Sequence, residues 1–553
     1  MAIDLNDPTV LDAFEAAVEA VRAGRMAPEA FVPVRLQQGI YAQRQEGLHM
    51  VRVKLPGGAV APRQLAGLAE GLERFCGHPV VNLTTRQDVQ YHGVRLEDLP
   101  ALLRLLAGHG LTTREAAGNT VRNVTACPLA GVCPGEHVDV QPLIEAVARR
   151  FTGDPVASAL PRKFKVSFSG CEADCAGARI HDLGIVAVRR DGAPGFALYV
   201  GGGLGSRPRE ADLLDPFVPA ARLLAAVEAV IRLHHEHSER RRRARARLKF
   251  TVERLGIERF RALYRERLAR LEGGAVAAAW REPGPAPALP GGVVRAPVAQ
   301  RQPGRVALPV AVPRGELDAA QLRGLAALLP EHGVEALRVT QDQNLLLLGV
   351  AEERLAALEA ALGRLGLGRP RAGDGVVTCP GTTLCPLAVT ASPHLADRID
   401  GGAEDLRVRV NGCPNGCAQS RVGDIGLHGQ GRRVDGVLVP CYVLEFGGDP
   451  AAGGGLAVEG PEVPARRVPQ ALARVRAAWR ERRGEDESFG AWARREGAGF
   501  FHALLADLVP VRAEEAAALA VDWSGEGAVA QDEEGLGECA QGGLAGFELP
   551  TGT

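Results

Sequence analysis

Eight of the eleven cysteines fall into one pattern written twice. The first copy is Cys127-PLAGV-Cys133 followed by Cys171-EAD-Cys175, and the second is Cys379-PGTTL-Cys385 followed by Cys413-PNG-Cys417. Each reads C-x5-C, then C-x3-C. Zinc ribbons and fingers pair their cysteines more tightly, at C-x2-C to C-x4-C around one ion, so a five-residue gap fits zinc poorly. Four thiolates on wider loops suit a cubane iron–sulfur cluster, whose irons lie apart and each take one ligand. Pro380, Gly381, Pro414 and Gly416 let backbone approach the sulfurs, whose reduction potential follows local hydrogen bonds and solvent. Coincidentally buried thiols are the plain alternative, and it weighs more on the first copy than on the second. Cys76, Cys441 and Cys539 have no partners at such spacing and read as ordinary residues.

The second chemical signal is basic. Only four of the 65 Lys and Arg are lysines, and two of them stand together at Lys163 and Lys165. They alternate along a strand that runs into Cys171, so both face the same side. The chain supplies its own comparison, because it is two halves of one design. Gln64-LAGLAE matches Gln321-LRGLAA, Thr84-TRQDVQYHGV matches Thr340-QDQNLLLLGV, and Asp182-LGIVAV matches Asp424-IGLHGQ. Aligned on the Thr84 and Thr340 stretches and on the cysteines, Arg86 faces Asp342, Arg122 faces Asp374 and Lys163 faces Asp405, while Lys165 faces Arg407. One half is therefore cationic where the other is acidic. A compact set of Arg86, Arg122, Lys163 and Lys165 is tolerable in a shielded site only if an anion regularly occupies it. Separate surface ion pairs are the alternative. Arginine offers oxyanions a bidentate fork, and lysine a compact charge that can also give up a proton.

Each half repeats one order of parts: a β segment such as Met50-VRVKLP, an amphipathic helix, an alternating strand near 81–94 or 337–350, the first cysteine pair, a helix, and a strand into the second pair. Between them lies the Pro- and Gly-rich Glu282-PGPAPALPGG, preceded by the basic run Arg240-RRRARARLKF, which reads as a solvated helix face. Beyond about 510 the chain turns small and acidic and reads as a mobile tail.

At 553 residues the chain is long enough for several domains. Near-zero net charge and 4% aromatic residues argue against a nucleic-acid binder with stacking platforms. No apolar stretch approaches the length of a bilayer span and the N-terminus lacks a signal peptide's pattern, so the reading is a cytoplasmic chain without a membrane partner. Gly201-GGLG lacks the G-x-G-x-x-G spacing of a dinucleotide cradle and reads as a tight turn near a cofactor.

The stretches Arg35-LQQGIYAQRQEGLHMVRVKLPGG, Thr84-TRQDVQYHGV, Leu160-PRKFK, Cys379-x5-Cys385 and Asn411-GCPNGCAQS resemble the ferredoxin-type sulfite and nitrite reductases, which carry siroheme coupled to a [4Fe–4S] cluster. The resemblance runs from about 30 to about 505. It implies an internally duplicated, pseudo-two-fold α+β fold: a paired ferredoxin-like unit from 1–112 and 304–370, two siroheme or Fe–S-type domains at 113–280 and 371–510, a linker at 281–303 and a tail at 511–553. It further implies that Cys379, Cys385, Cys413 and Cys417 hold the cluster, with the Cys417 sulfur also bridging to the siroheme iron. The anion would bind the opposite face under Arg86, Arg122, Lys163 and Lys165. Arg44, Gln45, Gln87, Gln90 and Asn415 become candidates for binding the cofactor, a macrocycle with eight carboxylates. The expected reaction is six-electron reduction of sulfite to sulfide with ferredoxin or a flavoprotein as donor. The alternatives are nitrite reduction to ammonia, a precorrin-3B synthase-like oxygenase without siroheme, or a non-catalytic electron-transfer protein. In this family the position of Lys165 is usually Lys in sulfite reductases and Asn in nitrite reductases. Ordinary members lack the first quartet, so Cys127, Cys133, Cys171 and Cys175 raise the question of a second cluster.

Overall fold

The computed structural model describes residues 7–274, 276–289, 293–451 and 453–525. Four five-stranded sheets organise it, and two of them are built jointly by the halves. In the first, Ile40–Ala42, Leu48–Val53, Val89–Arg95 and Val80–Leu83 are completed by Glu316–Asp318 from the second half, with Leu317 opposite Val81. In the other, Val298–Ala299, Arg305–Val310, Leu345–Ala351 and Ala336–Val339 are completed by Ala59–Val60, with Val60 opposite Leu337. Apolar side chains from both sheets fill one continuous core.

The repeat is chemical as well as topological. The helix Pro62–Phe75 opens with Gln64 accepting from the Ala61 N–H, and Ala319–Glu331 opens with Gln321 accepting from the Asp318 N–H. At the centre, Gln87 and Gln343 both adopt φ 58°, in a turn that throws each side chain across the pseudo-dyad. Gln87 Nε2 donates to Val339 O (3.0 Å) while its Oε1 accepts from Ala126 N (2.8 Å). Gln343 Nε2 donates to Leu83 O (2.8 Å) while its Oε1 accepts from Thr378 N (2.9 Å). Each amide is thus spent on a carbonyl of the other half and on an outer-domain strand. Gln87, expected to bind the cofactor, is buried and staples the halves together.

The outer domains carry the other two sheets. In one, Val121–Ala126, Phe164–Ser169 and Leu183–Arg190 run parallel; in the other, Val376–Thr378, Val408–Asn411 and Ile425–Val434 do. Cys127 and Cys379 directly follow the first strand of their sheets, and Cys171 and Cys413 each stand one glycine beyond the second. Adjacent parallel strands end side by side, so the two cysteine pairs of each half meet without a long-range turn.

Two expectations, on the basic run and the tail, need revision, and the linker gains a fixed course. The basic run is not simply a solvated face: Arg247 turns inward to Asp182, whose side chain is fully buried and needs a cation, and Lys249 is buried. The linker is pinned, since Arg281 N bonds His137 O and Gly284 N bonds Pro134 O, both at 2.8 Å, while Trp280 packs on Phe196. The tail begins as structure: the helix Ala513–Leu519 packs Ala516 against Val439 and Cys441, and Asp522 Oδ2 accepts from Ala391 N (2.7 Å). Residues 526–553, with Cys539, lie outside the described residues. Among the described residues no helix is long and apolar enough to cross a membrane.

The glutamine staple makes a stability prediction. Gln343→Leu strands Leu83 O and Thr378 N in the interior, where each unsatisfied group costs about 1–3 kcal/mol. The variant should unfold at clearly lower denaturant, and an unchanged midpoint would show that the staple carries no stability.

Candidate functional site

A cavity of about 690 Å³ opens where the halves face each other. One wall is the second half's cysteine loops, and the other is the first half's basic side chains. Arg86, Arg122, Lys163, Lys165, Gln90, Asn415 and the four cysteines from Cys379 to Cys417 all line it. Gln87, Arg44 and Gln45 do not.

On the cysteine wall, Gly381 sits at φ 56° against Ser392, where a Cβ would fall 2.6 Å from the Ser392 hydroxyl. The resulting turn aims donors at sulfur. Gly412 N–H donates to Cys379 Sγ at 3.1 Å, Ser392 Oγ lies 3.3 Å from the same atom, and Asn415 Nδ2 lies 3.5 Å from Cys413 Sγ. Arg44 donates to Ala388 O (2.9 Å) and Cys385 O (3.2 Å), and Gln45 donates to Thr383 O (2.8 Å). Both therefore clamp the Cys379–Cys385 loop. Burial and the charges of the neighbouring thiolates push Cys385 up to about 12 and raise Cys379 and Cys413. Buried thiols on one wall are held as thiolates only by a cationic centre among them, the donor chemistry of an iron–sulfur cluster. Cys417 is the exposed member and faces the cavity, and its carbonyl accepts from Thr85 Oγ1 of the first half at 2.7 Å.

On the basic wall, Phe164 is buried while Lys163 and Lys165 on either side of it face the cavity. Arg122 is held by Gly118 O, Ala116 O (3.0 Å) and the Tyr41 hydroxyl (2.8 Å). Arg86 donates to Asn123 O and Thr125 Oγ1, and burial lowers it to about 10. Lys165 is held well below the usual lysine range by burial, then by Lys163, Arg86 and Arg247.

The pseudo-symmetric comparison explains how Lys165 reaches the cavity. Asp424 accepts from the backbone N–H of Arg407 (2.8 Å) and pairs with its guanidinium (2.7 Å). Asp182 likewise accepts from Lys165 N (2.9 Å), but there Arg247 supplies the guanidinium. The strand position opposite Arg407 is thereby spared. In the other half the equivalent space is shut: Arg409 pairs with Asp342 (2.6 Å) and Arg295 with Asp405 (2.9 Å), leaving a void of about 10 Å³.

Several lining residues carried no sequence signal. Burial raises Asp88 to about 6, against the pull of Arg52 and Arg86. His92 is lowered to about 3 by burial, and His181 is held well below the usual histidine range by burial, Arg86 and Lys165. His181 Nδ1 meets Gly177 O at 2.7 Å, and since a carbonyl only accepts, Nδ1 carries the proton. Seven Arg or Lys against three Asp or Glu line the cavity. Buried polar atoms of Asn82, Arg86, Asp88 and His92 on the basic wall, and of His394 and Asn411 on the cysteine wall, find no partner in the protein. A positive wall with orphaned polar groups fits a polycarboxylate macrocycle, so the residues present suit siroheme beside the cluster.

The comparisons agree with this geometry. Residues 117–271 match the nitrite and sulphite reductase 4Fe-4S domain, and residues 41–109 with 298–365 match the nitrite/sulfite reductase ferredoxin-like half domain. The chain is 33% identical over 500 residues to an assimilatory ferredoxin-dependent nitrite reductase of Haloferax mediterranei, covering 83% of this chain and 84% of that one. It is 31% identical to sulfite reductase [ferredoxin] 1 of Mycolicibacterium paratuberculosis, covering 83% and 87%. The solved structure of the Mycobacterium tuberculosis NirA protein superposes with a TM-score of 0.78 at 28% identity, over 90% of this chain and 97% of that one. A shared cavity with a four-cysteine wall and a cationic wall, on a duplicated scaffold matched along most of its length, places this chain in the nitrite and sulfite reductase family, oxidoreductases that use siroheme and a [4Fe–4S] cluster.

Proposed function

We propose that the chain reduces sulfite to sulfide, with electrons from ferredoxin. The observation that carries this reading is Lys165, whose ammonium adds a second lysine charge to the cavity beside Lys163. Doubly charged sulfite gains more from it than singly charged nitrite does, and loss of three oxygens as water asks for more neutralised charge and more protons. The ferredoxin donor follows the names of the relatives, which include ferredoxin-dependent enzymes for both anions.

Siroheme with its cluster, when bound, supplies single electrons and an iron that takes the anion. The protein's share is binding, orientation and protons. Arg122, fixed by three acceptors, presents a charge that needs no reorganisation when the anion arrives. Lys163 joins it from the neighbouring strand end. Lys165 parts with a proton more readily than an ordinary lysine, which suits it to protonate a leaving oxygen. The carboxyl of Asp88, raised to about 6, and neutral His181 stand on the same wall, where a proton can be returned from solvent. Arg86 holds the turn between the walls and adds charge behind the lysines.

Two measurements test this. Lys165→Asn should lower kcat/KM for sulfite about 100-fold, or about 2.7 kcal/mol, while nitrite falls less than about threefold; equal losses would overturn the preference for sulfite. The pH dependence follows from the sign of the shift. A lysine whose proton affinity is lowered is charged only below that lowered value, so sulfite affinity should fall as pH rises through a midpoint below 10.5. Lys165→Arg, which stays charged, should move that midpoint upward, and an unmoved profile would remove Lys165 from the anion site.

A further inference from the structure

The first cysteine quartet lies outside the cavity, yet its backbone repeats four of the second's hydrogen bonds at corresponding positions. Cys127 N bonds Phe168 O as Cys379 N bonds Val410 O, both at 3.2 Å. Cys133 N bonds Leu129 O (2.9 Å) as Cys385 N bonds Gly381 O (3.0 Å), and Glu136 N bonds Cys133 O (3.4 Å) as Ala388 N bonds Cys385 O (3.3 Å). Across to the second pair, His137 N bonds Gly170 O as Val389 N bonds Gly412 O, both at 2.8 Å. The C-x3-C loops share their left-handed positions as well: Asp174 (φ 50°) and Gly177 (φ 63°) correspond to Gly416 (φ 69°) and Gln419 (φ 62°). Asp174 tolerates this conformation because its carboxylate ties the turn to Ser169 Oγ (2.6 Å) and Ala178 N (2.8 Å).

The four cysteines are neighbours: Cys127 lies beside Cys175, and Cys133 and Cys171 stand close enough to Cys175 to feel its charge. Among the described residues no three His, Cys, Asp or Glu side chains are gathered as a single metal ion requires, and this holds equally for both quartets. What differs between them is the space beyond. Where the second quartet opens on the large cavity, the counterpart space around Asp342 and Arg409 is closed, with Val293 and Val294 on its lining. The linker residue Leu289 packs beside Cys127 and Cys133.

We propose that Cys127, Cys133, Cys171 and Cys175 hold a second [4Fe–4S] cluster, without a tetrapyrrole beside it. The cradle has the ligand number, spacing and backbone of the first site, and the closed space leaves no room for a macrocycle. The proposal does not depend on which anion the enzyme reduces. Its second cluster is a one-electron store remote from the substrate.

The full-length protein, purified anaerobically and assayed for acid-labile sulfide, zinc and free thiols, tests it. Siroheme contributes no sulfide, so two clusters give about eight sulfides per chain and one gives about four. About eight is expected, with zinc absent. About four sulfides overturns the proposal, whether accompanied by one zinc per chain, by a Cys127–Cys175 disulfide or by free thiols. A variant with all four first-quartet cysteines replaced by serine should lose about four sulfides and keep its siroheme absorption band. If that variant fails to fold, the wild-type sulfide count still decides. A wild-type protein without the siroheme band but with about eight sulfides would refute the reductase reading and leave the second cluster standing.

Discussion

Pairing of Leu317 with Val81 and of Leu337 with Val60 ties each half's sheet to a strand that only the other half supplies. Neither half closes its hydrogen-bond ladder alone, and the buried amides of Gln87 and Gln343 reinforce the exchange from the centre. Because each glutamine also holds the first strand of its own outer domain, through Ala126 or Thr378, the exchange fixes where both cysteine-bearing sheets stand. The four-cysteine wall and the cationic wall come from different halves of the chain, and this constraint brings them to a common cavity.

Duplication gave two equivalent spaces, and charge decided which one stayed open. In the second half, acidic and basic side chains neutralise one another: Arg407 with Asp424, Arg409 with Asp342, Arg295 with Asp405. In the first half, the buried Asp182 takes its guanidinium from Arg247, a residue of the distant basic run. An unpaired buried carboxylate would cost several kcal/mol, so this substitution is what permits a lysine at 165 to face the cavity rather than neutralise Asp182. Repulsion among the lysines and arginines there is of the kind that a bound oxyanion relieves, in keeping with the proposed substrate.

Much of this was legible in the sequence because it is written locally. The cysteine spacing, the internal repeat and the charge reversal between Arg86 and Asp342 can be read without coordinates, and the two walls of the cavity follow. The rest depends on how distant segments meet. Gln87 and Gln90 share a segment, yet the left-handed turn at Gln87 sends its amide to the other half while Gln90 lines the cavity. Arg44 and Gln45 carry the right chemistry for a carboxylate but are drawn to the carbonyls of the Cys379–Cys385 loop. Asp88, His92 and His181 have no motif; burial beside arginines sets their proton affinities, and burial belongs to the assembled fold. Arg247 sat in a run whose composition suggested solvent, because a single inward-facing arginine leaves no trace in average charge.

The central claim is that side chains of the first half bind the anion against a cofactor anchored by the second. A sulfite titration of the siroheme absorption bands in the holoenzyme tests it most directly, comparing wild type with Lys163→Met. The account predicts unchanged siroheme and iron content in the variant, with a Kd for sulfite at least about tenfold weaker, or about 1.4 kcal/mol. Equal affinity in the two proteins, with the cofactors in place, would contradict it.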